Sequence, residues 1–566
     1  MTLDATALEN AERAGDAAAH PLRARAEAIW SAIDRFLVYA GDWLNPILVK
    51  ETRQALKSSQ FTITFVLMLV ACWIATIGVV AYVGPRIFYS AEGGTLLVWY
   101  YAILALPLMV VVPLSAFRSL TAEREDNTYD LLSITALKPR QIIAGKLGSS
   151  ITQMAVYFSA ITPCLAFTYL LRGVDLPTIA VLLLYTFFWS LGLSILGILL
   201  ATLTPQRFVQ VIILVAFVAA LLLMFYLSII MGYSAVNLGR AAIFGVDSAF
   251  WTATTAMATA YFTFFALAFF ASAALITFTS ENRSTPLRVC MIVQQAAFVG
   301  WMAYAWIHDS YAAGVVAGTM TFAGIYWFVM GTLLTAERPG ISQRVRRRLP
   351  QSFAGRMFFS WFNPGPASGY MFVIANISSL AVLCAVGAAI SSVWSSGSGV
   401  GPHAEDQYYM LVVGWGYLVG YLGLALIVVG GLRRIATVTM LASVLINFLL
   451  VLAGFGIPYA VKSMSTRLRD VDYSFIQITD PFSSLYHVAY GGVASDSDVI
   501  AIVVPGIALC ILLLNMPRVI GELRVVREAA PARVIRDEAE LHPPPESLPQ
   551  NPWEEAGEER AKLVES

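Results

Sequence analysis

Long apolar runs separated by short polar ones fill the chain from residue 61 onward. A helix rises about 1.5 Å per residue, so a hydrocarbon core of about 30 Å needs about 20 mostly apolar residues. Twelve segments meet that length, near 61–83, 96–117, 147–171, 177–203, 208–231, 250–279, 287–307, 311–334, 370–395, 408–430, 435–461 and 498–517. The closest pairs stay separate because of what lies between them. Between the fourth and fifth, Pro205 in Thr204-Pro205-Gln206-Arg207 breaks a continuous helix and lets two spans turn back. The pattern predicts an all-α polytopic membrane protein of about twelve transmembrane helices.

Composition agrees, since 58% of the 566 residues are hydrophobic and only 13% charged, which no ordinary water-soluble fold could bury. Charge then orients the spans. With both termini in the cytosol, only Arg86, Arg172, Arg240, Lys462, Arg467 and Arg469 of the 36 Lys and Arg fall on the outer side. The rest collect inside, as cytosolic loops should. The zero formal net charge therefore hides a segregation by side.

Residues 1–43 are Ala-rich and charged, read as a cytosolic helical segment with no removable signal peptide. Residues 518–566 read as a cytosolic, mostly disordered tail, with Pro543-Pro544-Pro545 and many Glu. The five cysteines, Cys72, Cys164, Cys290, Cys384 and Cys510, all fall inside predicted spans and read as small buried apolar residues.

Intramembrane Asp, Glu, Lys or Arg would mark an ion or proton pathway, and the twelve segments carry none away from their ends. That weighs against an ion-coupled carrier. Gln153 and Gln210 remain as candidate polar residues of a pathway, or as interhelical hydrogen-bonding groups. No phosphate-binding loop is present, because Gly145-Lys146-Leu147 lacks both the upstream glycine and the hydroxyl after Lys. The five histidines are scattered, with no paired metal-ligand spacing, and no metal site is expected.

The most informative segment is the inner loop 118–146. It begins as a charged continuation of the second span, with Glu123, Arg124, Glu125 and Asp126. Leu131, Leu132, Ile134 and Leu137 then make an apolar cluster where a simple turn would be polar, and Pro139 suits the first turn of the next helix. Such an element lies along a membrane surface or docks into another protein's groove. Just before the first span, Asn45-Pro46 opens a stretch in which Ile47, Leu48, Ala55 and Leu56 leave one face apolar. Lys50, Arg53 and Lys57 form a basic stripe at helical spacing, with Glu51 among them. This predicts an interfacial helix over 44–60, lying on an anionic leaflet.

Here the chain resembles the ABC-2 permeases, the membrane subunits of type 2 ABC transporters. After their second span these carry an acidic residue, a Gly-Thr pair, a Leu-Leu pair, a Thr-Pro-Leu turn and a nearby Gly-Lys. Glu125, Thr128, Leu131, Leu132, Thr135, Leu137, Gly145 and Lys146 match, while Asn127 stands where glycine is usual and Ala136 where proline is usual. Many of these permeases also begin with a connecting helix announced by Asn-Pro, and six spans are their usual number. The resemblance covers roughly 44–280 and makes 61–280 a six-span ABC-2 unit with 118–146 as its coupling element.

The resemblance implies a non-enzymatic permease of the plasma or inner cell membrane, an exporter working as a dimer, either homo or hetero, or through two halves of one chain. A separate ABC-type ATPase would bind ATP and Mg and hydrolyse the ATP, so this chain would hold no cofactor of its own. Leu131, Leu132 and Leu137 would dock that partner, with Glu123, Glu125 and Lys138 at the rim and Arg124 beside them. Lipid is the other expected partner; nucleic acid is not.

The second half divides by pattern into 281–369, two spans and a basic segment, and 370–517, four spans with an outer loop over 462–497. Trp361-Phe362-Asn363-Pro364 echoes Trp43-Leu44-Asn45-Pro46, but only four spans follow it, so the half reads as an extension or a diverged repeat. Arg344, Arg346, Arg347 and Arg348 read as a topology anchor or lipid headgroup contact. Two other functions stand beside the permease. One is an ATP-independent carrier. The other is a membrane enzyme or scaffold using Asp470, Asp472, Asp480 and His487 of the outer loop.

Overall fold

A computed structural model describes residues 45–85, 92–125, 137–203, 206–243, 248–278, 280–308, 312–347, 349, 350, 352, 355, 358–394, 404–465, 473–490, 494–525 and 532–541. All regular structure among them is helical. Eleven helices are long and apolar enough to cross a bilayer, which makes the chain a polytopic membrane protein. The eighth predicted segment is also a helix, Ala312–Thr335, 24 residues long, although it is not among those eleven.

The chain separates into two compact units at Thr277 and Phe278. The first begins with α1 (Pro46–Lys57), a short helix ended by Ser58, and continues into α2 (Ser59–Val83). Next come α3 (Gly93–Leu106) and α4 (Val112–Glu125), joined by a π-helical turn over Pro107–Val111. Pro107 has no N–H to give the preceding turn, and the widened backbone is tied from outside: Ser190 Oγ donates to the Leu108 carbonyl at 2.6 Å. The unit closes with α5 (Pro139–Leu170), α6 (Leu176–Thr202), α7 (Arg207–Ile243) and α8 (Ser248–Ile276).

Leu96, Leu97, Tyr100, Leu104 and Leu108 pack with Met154, Tyr157 and Ile161 of α5 to form one core cluster of this unit. By contrast, α2 buries only Met68 and Cys72 and leaves Leu67, Trp73, Ile74 and Ile77 exposed. That is the surface of a helix solvated by lipid chains, where an apolar side chain needs no protein partner.

Among the described residues the second unit holds six long helices: α9 (Ser284–His308), α10 (Ala312–Thr335), α12 (Pro366–Trp394), α13 (Ala404–Leu432), α14 (Met440–Met464) and α16 (Ala494–Leu523). Between them lie the short α11 (Gln343–Arg346) and α15 (Pro481–Tyr490), and α17 (Ala532–Leu541) follows.

The helix of the third span, α5, starts at Pro139, the position expected for its first turn, where Lys138 N donates to Gln141 Oε1 at 2.9 Å. Two expectations need correction. The tail is not uniformly irregular, since α16 runs to Leu523 and α17 occupies part of the Glu-rich stretch. The spans are not free of internal charge either: Lys146 is the eighth residue of α5 and Arg288 the fifth of α9, and they are 2% and 0% exposed. The N-terminal segment 1–43 lies outside the described residues, as do Thr128, Leu131, Leu132, Thr135 and the side chains of Arg124 and Glu125.

Candidate functional site

The predicted interfacial helix and the two flanks of the inner loop meet at one place. Asn45 starts α1 by accepting from the Ile47 amide at 3.1 Å, and its own amide donates to the Gln141 carbonyl at the start of α5. With Pro46 at the first helical position, α1 needs no further cap. Its buried side follows the apolar pattern, with Ile47 and Leu48 against α5 at Gly145 and Gly148. A Cβ on Gly145 would stand 2.8 Å from Ile47 Cγ2 and 3.1 Å from the Leu48 backbone nitrogen. Gly145 is thus the position where two helix backbones approach closely. On the opposite side Lys50, Arg53 and Lys57 are exposed as a stripe.

Glu51 breaks the apolar face, and Lys146 explains why. The Lys146 ammonium lies 3.0 Å from Glu51 Oε1 and 3.0 Å from Glu123 Oε2, and it donates to the Ser119 carbonyl at 3.3 Å. Lys50 reaches Glu123 Oε1 at 3.4 Å from a half-exposed position. Glu51 and Glu123 are 6% and 8% exposed, so one buried cation holds together α1, the end of α4 and the start of α5. Burial pushes the Glu51 carboxyl above the usual carboxylate range; Lys146 beside it pulls the other way, and Glu123 adds to the rise.

This geometry redistributes the residues expected at a docking surface. Glu123, expected at its rim, turns inward, and Gly145 and Lys146 are consumed by packing within the chain. Lys138 stays exposed, and Leu137 is half-buried against the core that includes Ile142, Ile143 and Ile276. Gln153 is buried fifteen residues into α5, where its Oε1 accepts from Ser115 at 3.2 Å. Gln210 is only the fourth residue of α7 and half-buried. The two amides therefore sit at different depths along their helices.

The second unit contains a buried acid–base cluster that the sequence reading missed. Arg288 of α9 donates to Glu337 Oε2 at 2.9 Å, to Ser368 Oγ at 3.3 Å and to the Trp361 carbonyl. Glu337, two residues past α10, also accepts from Ser284 Oγ at 2.7 Å and from the Gly365 amide at 2.8 Å. Glu522, at the end of α16, accepts from the Ala367 and Ser368 amides at 3.1 and 2.7 Å, so a carboxylate sits on the N-terminus of α12. A lone Arg one turn into an apolar segment and a Glu just past the next were the available signals.

The predicted outer loop also folds differently from a free loop. Tyr417 donates to the Ile478 carbonyl at 2.7 Å, Tyr421 to the Thr479 carbonyl, and Thr479 Oγ1 to the Gly454 carbonyl at 3.2 Å. Gly454 lies ten residues before the end of α14, or about 15 Å along its axis. Residues 473–480 therefore fold back between the helices, and α15 climbs out again. Asp480, 2% exposed, caps α15 at the deep end by accepting from Phe482 N at 2.9 Å and from Ser483 Oγ. His487 stacks on Tyr473 at 4.4 Å between ring centres, and Asp470 and Asp472 lie outside the described residues. No protein-family description, curated protein or solved structure matches the chain.

Proposed function

We propose that this chain is the membrane component of an ABC-2 type transporter, an exporter with twelve spans and cytosolic termini, driven by a separate ATPase that docks on the 118–146 element. The observation that carries the reading is the buried Lys146–Glu51–Glu123 junction. It ties both ends of that element, Glu123 on α4 and Lys146 on α5, to the interfacial helix α1. A push on the segment between Glu125 and Leu137 then moves three helix ends as one body instead of bending a loop. Two units of six long helices also suit a permease whose two halves come from a single chain.

The test is Leu132→Asp. The variant should reach the membrane and stay monodisperse, yet no longer co-purify with its ATPase partner; unchanged co-purification sinks the assignment. A second reading, an ion-driven carrier, draws on one observation, the buried Asp480 beside the folded-back 473–480 segment. It requires transport by the purified chain alone in liposomes under an ion gradient, abolished by Asp480→Asn.

A further inference from the structure

At the inner end of α9 the second unit encloses a half-open cavity of about 670 Å³. This is within the size range of small-ligand sites, roughly 300–1,000 Å³. Its lining is divided by chemistry. Glu281, Asn282 and Arg344 supply polar groups, and Val289, Leu349 and Phe359 apolar ones. Arg344 and Glu281 form an ion pair at 3.1 Å and stay 61% and 44% exposed, so the guanidinium keeps donors open to water. Val289 and Phe359 are 45% and 62% exposed although both are large and apolar. The wall is rigid: Asn282 Nδ2 donates to Asn363 Oδ1 at 3.0 Å, Thr285 Oγ1 donates to the Phe362 carbonyl at 2.7 Å, and Ser342 Oγ caps α11.

We infer that this cavity is a site for an anionic phospholipid of the cytosolic leaflet, with its phosphate on Arg344 and an acyl chain running along Val289 and Phe359. Three features favour that occupant. The cavity lies where a membrane-crossing helix begins, so its apolar side borders lipid and its charged side borders water. Residues 338–356 contain six arginines and no acidic residue, a density of charge that attracts anionic headgroups. Phe358 and Phe359 are both exposed beside that charge, the pairing of basic and large apolar side chains found in segments that lie in a membrane interface. None of this depends on the transporter reading.

The full-length chain, delipidated in detergent, is equilibrated with mixed micelles containing dioleoyl-phosphatidylglycerol or dioleoyl-phosphatidylcholine, and bound lipid is counted by native mass spectrometry. One phosphatidylglycerol should be retained, in preference to phosphatidylcholine. Arg344→Glu should weaken it about tenfold or more. Val289→Trp, which fills the apolar wall and leaves every charge in place, should lose it too and guards against a folding artefact of the first variant. Arg533→Gln, on α17, should change nothing. Equal retention of the two lipids, or equal retention by all variants, overturns the assignment. So does displacement by inorganic phosphate alone.

Discussion

Replacing Lys146 by Met keeps the length and apolar stem of the side chain and removes its charge. Glu51 and Glu123, each 3.0 Å from the lost ammonium, then remain buried with only Lys50 at the rim to compensate. Breaking a buried ion pair from one side costs about 3–5 kcal/mol, because the partner charge is left without compensation. The strain is relieved most easily by release of α1, which has 12 residues and ends at Ser58. A cost of about 4 kcal/mol corresponds to roughly a thousandfold rise in the opened fraction. Hydrogen exchange of the amides of residues 50–57 should therefore accelerate by two to three powers of ten, while exchange in the α3 and α5 core around Tyr100 and Tyr157 stays slow. Adding Glu51→Gln and Glu123→Gln to Lys146→Met should recover most of the protection, since a neutral hydrogen-bonding set no longer needs a buried cation. Unchanged exchange in the single variant, or no recovery in the triple one, refutes the account of the junction.

Three further outcomes follow from the same geometry. Gly145→Ala should loosen α1 by about 1–3 kcal/mol in the same exchange assay, because its Cβ meets Ile47 and the Leu48 backbone, whereas Gly148→Ala should be milder, since it meets the rotatable Leu48 Cδ1 at 2.6 Å. Gly454→Ala would place a Cβ 1.8 Å from the Tyr421 hydroxyl and 2.9 Å from the Thr479 carbonyl, so it should expose residues 473–490 to protease, with partial rescue by Tyr421→Phe. Because burial raises the Glu51 carboxyl above its usual range in the folded chain, the docked α1 favours the protonated form more than the released helix does. Docking should therefore be firmest at low pH and weaken as pH rises from the ordinary carboxylate value, about 4.3, through the raised one. Glu51→Gln should flatten that dependence, and a docking strength that grows with pH would contradict it.

The helices were legible because length and hydropathy alone decide them. Every predicted span has a counterpart, from Ser59–Val83 to Asp496–Leu523, with the eighth as Ala312–Thr335. The face of α1 was legible too, down to its basic stripe, because helical period sorts Ile47, Leu48, Ala55 and Leu56 from Lys50, Arg53 and Lys57. What pattern could not supply was the partner of each charge. Lys146 reads as a loop cation beside a Gly, and Glu51 as a blemish on an apolar face, until two stretches 95 residues apart are brought to 3.0 Å. Arg288 and Glu337 are separated by a whole apolar helix, and neither position alone suggests an ion pair.

The folded-back 473–480 segment was hidden for a related reason. A polar connection with Asp480 and His487 has the composition of an outer loop whether it lies above the membrane or within it. Only tyrosine hydroxyls on α13 and the missing side chain of Gly454 distinguish the two. A non-helical backbone survives at that depth when protein donors and acceptors replace water, which is what Tyr417, Tyr421 and Thr479 do here. The same principle governs two buried cations among the described residues. Lys146 meets Glu51 and Glu123 from two other helices, and Arg288 meets Glu337 and the Trp361 carbonyl, so each charge lies inside because distant segments face it. Each is therefore a point where distant parts of the chain are tied to one another, whereas the Asp480 carboxylate is met locally, by Phe482 N and Ser483 Oγ.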